Sequence, residues 1–264
     1  DLIIKKIIRS SISDVISKGV DPKFLLISMS VSKKKINKEK LRLILHSIKQ
    51  EQKKYKFSLV GGDTTSSNKL SFTVCVFGYN ESIIRRNACI KNDDIYITGN
   101  IGDSSIGLSF LKKKISSSNK IKKYFIDRYF KPDLPFGFHR ELFNFANSSM
   151  DISDGLLTDL KKIVKEKKLN FIIDYHLLPK SNKFKKLKKQ KKISLNRHLF
   201  SGDDYQILFT ARKDYRKKID KTSKKWNQKV TRIGTIVNST HNFIRINSKL
   251  KKIKHYQGYT HNFN

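Results

Sequence analysis

The chain has 264 residues, 38% of them hydrophobic, which is about 100 apolar side chains and enough for one large core or two modest ones. Fifty-seven Lys and Arg against 22 Asp and Glu give a net charge of +35, while only two cysteines, Cys75 and Cys89, exclude a disulfide scaffold or a cysteine zinc site. No run approaches the roughly 18 apolar residues of a membrane-spanning helix, and Asp1-Leu2-Ile3-Ile4-Lys5 meets charge too soon for a signal peptide.

Ile4, Ile7, Ile8, Ile12, Val15 and Ile16 recur at helical spacing, predicting a helix over residues 2–18 that Gly19 and Pro22 terminate. Phe24–Val31 reads as a strand. Residues 37–54 read as a second amphipathic helix with Leu41, Ile44, Leu45 and Ile48 along one face. Residues 57–60 predict a short strand that delivers Gly61-Gly62-Asp63 at its end, and residues 70–78, rich in β-branched and aromatic side chains, predict another. Asp94–Thr98 is a predicted strand that runs through Gly99-Asn100-Ile101-Gly102 into a helix over residues 103–112. Such a strand, glycine turn and helix N-terminus can cradle an anion, and a tight turn explains the same pattern. The lack of Gly-Lys-Ser/Thr excludes a Walker A loop.

Pro132 to Pro135 punctuates a connection, and residues 149–160 begin a helix whose stripe is Leu156, Leu157, Leu160, Ile163 and Val164. Asp151 and Asp154 precede or open that helix, three residues apart, so both could face one cation. Residues 171–175 and 205–211 read as strands, with Val230–Val237 and Phe243–Ile246 as a closing sheet or hairpin. The expected class is α+β in two domains, 1–82 and 83–264.

The lysines are scattered through nearly every segment, and the run 183–192 is interrupted by Phe184 and Leu187 without an aromatic ladder for stacking bases. This pattern reads as a solvated surface of biased composition, so no nucleic-acid partner is expected. The scarce acids are more informative. Several stand beside glycine and serine, in Gly61-Gly62-Asp63-Thr64-Thr65, Gly102-Asp103-Ser104, Asp151-Ile152-Ser153-Asp154-Gly155 and Ser201-Gly202-Asp203-Asp204-Tyr205. Carboxylates on sharp turns are suited to Mg²⁺, which takes oxygen ligands and bridges phosphates. Each is also a plausible helix cap or turn residue.

In their order along the chain, these motifs resemble those of the thiamine-monophosphate kinases, in the superfamily of aminoimidazole ribonucleotide synthetase and selenophosphate synthetase. The resemblance rests on Ser13-Asp14 with Gly19, Leu59-Val60-Gly61-Gly62-Asp63-Thr64-Thr65, Arg85-Arg86-Asn87-Ala88, Thr98-Gly99-Asn100-Ile101-Gly102-Asp103-Ser104, Met150-Asp151-Ile152-Ser153-Asp154-Gly155-Leu156, Ser201-Gly202-Asp203-Asp204-Tyr205 and Gly258-Tyr259. It implies an enzyme that phosphorylates thiamine monophosphate with ATP. It further implies several Mg²⁺ ions, a homodimer formed through the N-terminal domains, and a cytoplasmic location without a membrane partner. Carried over position by position, Asp14, Asp63, Asp151 and Asp154 are expected metal ligands. Gly62, Asp63, Arg85 and Ser153 are expected at ATP, and Asp203 and Tyr259 at the thiamine substrate. No catalytic residue is expected apart from these ligands. Against this family the chain is expected to lack several dozen leading residues, including a Gly-Asp-Asp-type motif. The competing readings are a related synthetase acting on another phosphate acceptor, and a non-catalytic homologue that binds polyanions.

Overall fold

Isoleucines at every fourth position, Ile4, Ile8, Ile12 and Ile16, are buried along one face of helix α1 (Leu2–Ile16). That stripe lies on a three-stranded sheet in which β1 (Phe24–Val31) is flanked by a parallel β2 (Ser58–Ser66) and an antiparallel β3 (Ser71–Phe77). Helix α2 (Lys38–Tyr55) starts at Asn37, whose side chain accepts the Lys40 N–H at 2.9 Å, and stops at a left-handed Lys56. Ile48, Tyr55, Leu25 and Phe57 complete this first core. The computed structural model describes residues 1–32, 36–190 and 192–254.

The remaining chain builds a seven-stranded sheet covered by helices on both faces. It comprises β4 (Asp94–Thr98), α3 (Asp103–Leu111), α4 (Asn119–Phe130), β5 (Ser148–Asp151), α5 (Leu156–Lys165), β6 (Asn170–Asp174), α6 (Asn182–Lys189) and α7 (Leu195–Leu199). After these come β7 (Ile207–Ala211), α8 (Arg216–Lys225), β8 (Val230–Val237), β9 (Phe243–Ile246) and β10 (Lys249–Lys252). The strand order is β10-β9-β6-β8-β4-β7-β5. Strand alternation sends Ile95 and Ile97 of β4 toward α3, α4 and α5, and Tyr96 toward Phe138, Leu142, Phe145 and α8. With helices on both faces, β4, β5 and β7 are buried throughout.

Several elements depart from the sequence-based expectation. β2 does not end before Gly61-Gly62-Asp63 but runs through it to Ser66. Gly62 makes this possible, since a Cβ there would meet the Ile27 carbonyl oxygen of β1 at 1.8 Å. The buried residues of α2 are Ser47, Ile48, Glu51 and Tyr55, with Ile44 half-buried beside them, while Leu41 and Leu45 are exposed. Residues 148–151 form a strand instead of opening a helix. β8 and β9 are not a hairpin: β6 lies between them, antiparallel to β8 and parallel to β9.

Two polar staples join the sheets. Arg9 of α1 holds Glu51 of α2 through two bonds of 2.8 and 2.9 Å and donates to the Pro132 carbonyl at 3.1 Å. His139 is buried, its Nδ1 accepts the Gly137 N–H, and its Nε2–H therefore donates to Asp21 at 3.0 Å. Burial depresses His139 to about 4 despite the Asp21 carboxylate. The unfolded chain, where histidine titrates near 6.5, takes up that proton first, so stability falls as pH drops from about 6.5 to 4. From His139 the loss between pH 7 and 5 is expected to be about 2 kcal/mol. Urea denaturation at both pH values should show it, with His139→Gln flattening the dependence; an equal slope in the variant would overturn the assignment.

Candidate active site

The site is built where α1 crosses the end of β5. Asp14 and Lys18, one helical turn apart, face Asp151 at the last position of β5 across a cleft of about 490 Å³, which Arg85, Arg86, Asn87 and Glu166 also line. Ser13 donates to Asp151 Oδ2 at 3.0 Å, and the Lys18 ammonium donates to the Ser149 carbonyl at 2.9 Å. These two bonds fix helix to strand and set the acids opposite one another. Burial pushes the Asp151 carboxyl up to about 7, and the neighbouring Asp14 adds to the rise. Asp14 is itself raised, first by burial, with Lys18 opposing and Asp154 adding to the shift.

Asp154 lies in the loop leading to α5, ion-paired to Lys162 at 2.5 Å; Lys162 also holds Asp159 at 2.7 Å. Asp159 caps the turn by accepting the Gly155 N–H at 3.0 Å. A second loop lies directly against this one. Asp203 N–H donates to the Ser153 carbonyl at 2.8 Å, and Tyr205 N–H to the Ile152 carbonyl at 2.9 Å. Gly202 permits the contact, because a Cβ would sit 1.8 Å from the Ser153 oxygen. Asp203 Oδ1 accepts both the Lys6 ammonium, at 2.8 Å, and the Tyr205 hydroxyl, at 2.9 Å. Lys6 is in turn enclosed by the rings of Tyr129 and Tyr205, 4.3 and 4.8 Å from their centroids.

The structure therefore gathers Asp14, Asp151 and Arg85 at one cleft, with Asp154 in electrostatic range of Asp14 and Asp203 packed on the Ser153 loop. Gly62 and Asp63 lie elsewhere, on β2, where Asp63 is exposed and accepts the Thr64 N–H at 2.8 Å. Among the described residues no three His, Cys, Asp or Glu side chains are grouped as a metal site. Tyr259 lies outside the described residues. Sequence reasoning quoted Ser13 and Tyr205 as motif members without a role and passed over Lys18 and Lys6. Lys18, four residues after Asp14 on a predicted helix, was the one with a local signal.

The glycine turn after β4 receives a carboxyl group of the chain's own, Asp204, which burial pushes well above the usual carboxylate range. Gly102 N–H donates to both oxygens of Asp204, at 2.9 and 2.8 Å.

Comparison with known proteins places this architecture. Residues 3–79 match the AIR synthase related protein N-terminal domain and residues 91–247 its C-terminal domain. The thiamine-monophosphate kinase of Buchnera aphidicola (subsp. Schizaphis graminum) is 37% identical over 97% of this chain and 79% of its own. The chain belongs to the thiamine-monophosphate kinase family. The Aquifex aeolicus member is 30% identical over 79% of this chain and 68% of its own. The solved structure of AaThiL complexed with AMPPCP and TMP superposes with a TM-score of 0.84 at 27% identity, over 98% of this chain and 81% of that one.

Within this thiamine-monophosphate kinase family chain, the paired carboxylates predict a measurable strain. Asp151→Asn keeps an acceptor for Ser13 while removing the repulsion from Asp14. In EDTA the variant is expected to melt a few degrees higher, corresponding to about 1 kcal/mol. Scanning calorimetry on both proteins checks this, and a lower midpoint in the variant would contradict it.

Proposed function

We propose that this chain transfers the terminal phosphoryl group of ATP to the phosphate of thiamine monophosphate, giving thiamine diphosphate and ADP. The observation that carries the reading is the facing of Asp14 and Asp151, with Arg85 and Lys18, in one cleft of a chain from this kinase family. The acceptor is already a phosphate, so little general-base work is needed and positioning supplies most of the rate. That fits a site without a nucleophilic triad.

Hard oxygen donors whose burial and mutual repulsion disfavour their charges are suited to a divalent cation. Asp14, Asp151 and Asp154 would hold Mg²⁺ at this cleft, and Asp63, on β2 outside its lining, would hold metal where the phosphates of ATP reach it. The ions supply neutralisation of phosphates that otherwise repel by about 4 kcal/mol per pair of unit charges at 4 Å and an effective dielectric of 20. Gly62, Asp63, Arg85 and Ser153 bind ATP in this reading. Lys18 and Arg85 bring positive charge to the cleft wall. Asp203, its Oδ1 held by Lys6 and Tyr205, and Tyr259 are the residues assigned to the thiamine moiety in this reading.

The domains are taken as 1–82 and 83–264, and the enzyme as cytoplasmic; among the described residues no helix is long and apolar enough to cross a membrane. The outer face of the first sheet supports the homodimer. Phe24, Leu26 and Phe77 are exposed on it, Val60 at the bulge between β1 and β2 is 56% exposed, and β2 is exposed throughout.

Two experiments test these assignments. Asp63→Asn, at an exposed position, is expected to leave the melting temperature unchanged and lower kcat at least 100-fold in a coupled ATP and thiamine monophosphate assay. Wild-type turnover in the variant would remove Asp63 from the site. For the dimer, Val60→Lys is expected to shift sedimentation from two chains to one at micromolar concentration, and an unshifted boundary would place the interface elsewhere.

A further inference from the structure

The glycine turn between β4 and α3 lines a second cavity, of about 130 Å³, which shares no residue with the Asp14–Asp151 cleft. A water's share of liquid volume is about 30 Å³, so the space suits a small polar head group. The Ser104 hydroxyl lines it, is 2% exposed, and has no hydrogen-bond partner. A buried hydroxyl without a partner in a native fold calls for a ligand or water to satisfy it. Asp103 and Asp204, 5% and 6% exposed, stand beside it and repel one another. Gly99, in a left-handed turn, keeps the wall open where a Cβ would strike the Gln206 amide oxygen at 2.3 Å. Arg128, the cation in this lining, is tied to Asp133 at 3.0 Å. The Gly102 N–H is already filled by Asp204, so the cup presents acceptors and favours a cationic donor.

A neighbouring cavity of about 340 Å³ has the opposite character. It is lined by Lys180, Lys183 and Lys229 and shares Asn100 and Tyr124 with the acidic cup. Each shared residue carries a lysine. Lys229 donates to Asn100 Oδ1 at 2.7 Å, and the Lys183 ammonium stands 4.1 Å from the Tyr124 ring centroid. Tyr124 in turn donates to Asp103 at 2.9 Å, joining the basic mouth to the acidic floor. These lysines differ from the solvated majority, since burial and neighbouring lysines lower both Lys180 and Lys229.

We propose that the two cavities form one ligand site, separate from the phosphoryl-transfer cleft, for a small phosphomonoester that carries a primary amine. Its ammonium enters the cup of Asp103, Ser104 and Asp204, and its phosphate lies among Lys180, Lys183 and Lys229. Neither half suffices: the arginine of the cup is engaged by Asp133, and the lining of the mouth offers no carboxylate.

Calorimetric titration of the full chain with 4-aminobutyl phosphate, butyl phosphate and inorganic phosphate tests the site. The amino ester is expected to bind at least tenfold more tightly than butyl phosphate. The double variant Lys183→Glu/Lys229→Glu is expected to lose at least tenfold of that affinity, and Ser104→Ala severalfold. Phosphorylation of thiamine monophosphate by the double variant is expected to stay within twofold of wild type. Equal binding of the amino ester and butyl phosphate would overturn the proposal, as would unchanged affinity in the double variant. Parallel loss of amino-ester binding and kinase turnover would overturn the site's separateness.

Discussion

The structure depends on α1 having two committed faces. One carries Ile4, Ile8, Ile12 and Ile16 into the first sheet, each fully buried isoleucine contributing about 1.5–3 kcal/mol relative to exposure. The other carries Lys6, Arg9 and Ser13 into bonds with Asp203, with Glu51 and Pro132, and with Asp151. A helix held by its apolar stripe cannot rotate to relax its polar one. The side chains that reach the second sheet are therefore placed by packing rather than by their own weak attractions. The Arg9–Glu51 pair shows the cost of this arrangement. Broken on one side, it leaves an uncompensated buried charge worth about 3–5 kcal/mol, although the intact pair adds little.

That rigidity lets the cleft hold what a softer structure would expel. Asp14 and Asp151 face one another on two elements, and burial disfavours the charge on both. In a chain of net charge +35, the simple remedy would be a lysine lying between them. Lys18 is at hand, yet its ammonium is turned to the Ser149 carbonyl, and Lys162 is shared between Asp154 and Asp159. Lys18 and Lys162 are thus bonded elsewhere, and burial keeps the charge on both acids disfavoured although Lys18 opposes it. Perturbed carboxylates in a cleft are a signature of function more than of stability.

What could be read from the sequence follows from the range of each signal. β1 was legible to the residue and α1 to within two, because their periodicities are local and punctuated by Gly19, Pro22 and Asn37. Helices α4, α6 and α8 were not recognised. Few of their apolar residues are fully buried: Phe125 in α4, Phe184 and Leu187 in α6, Ile219 in α8. β5 reads Ser-Ser-Met-Asp, with no alternation, because both its faces are covered and its partner β7 is distant in sequence. The aspartates of the site were visible as motif residues on turns. Their supports were not, since Ser13 meets Asp151 across 138 positions and Lys6 meets Asp203 across 197. Asp63 was equally visible, but its glycine-flanked motif signals a close strand pairing as well as a turn, and the structure uses it for the pairing.

The loop that delivers Asp203 shows how far the fold goes to bring distant segments together. Asp203 and Tyr205 both adopt positive φ, 69° and 51°, conformations that cost about 1–3 kcal/mol each for such residues. Asp204 between them is buried with its carboxylate on the Gly102 N–H. One strained segment thus points three consecutive side chains to three destinations: Asp203 to Lys6, Asp204 to the turn before α3, and Tyr205 to the core under α1. The strain is held by the bonds to Ile152 and Ser153 and by the missing side chain at Gly202. Because those bonds end on the same loop that carries Asp154, any shift in the Asp154 loop is transmitted to Asp203. The geometry that seats the acids at the cleft is therefore the geometry that orients the carboxylate beside them.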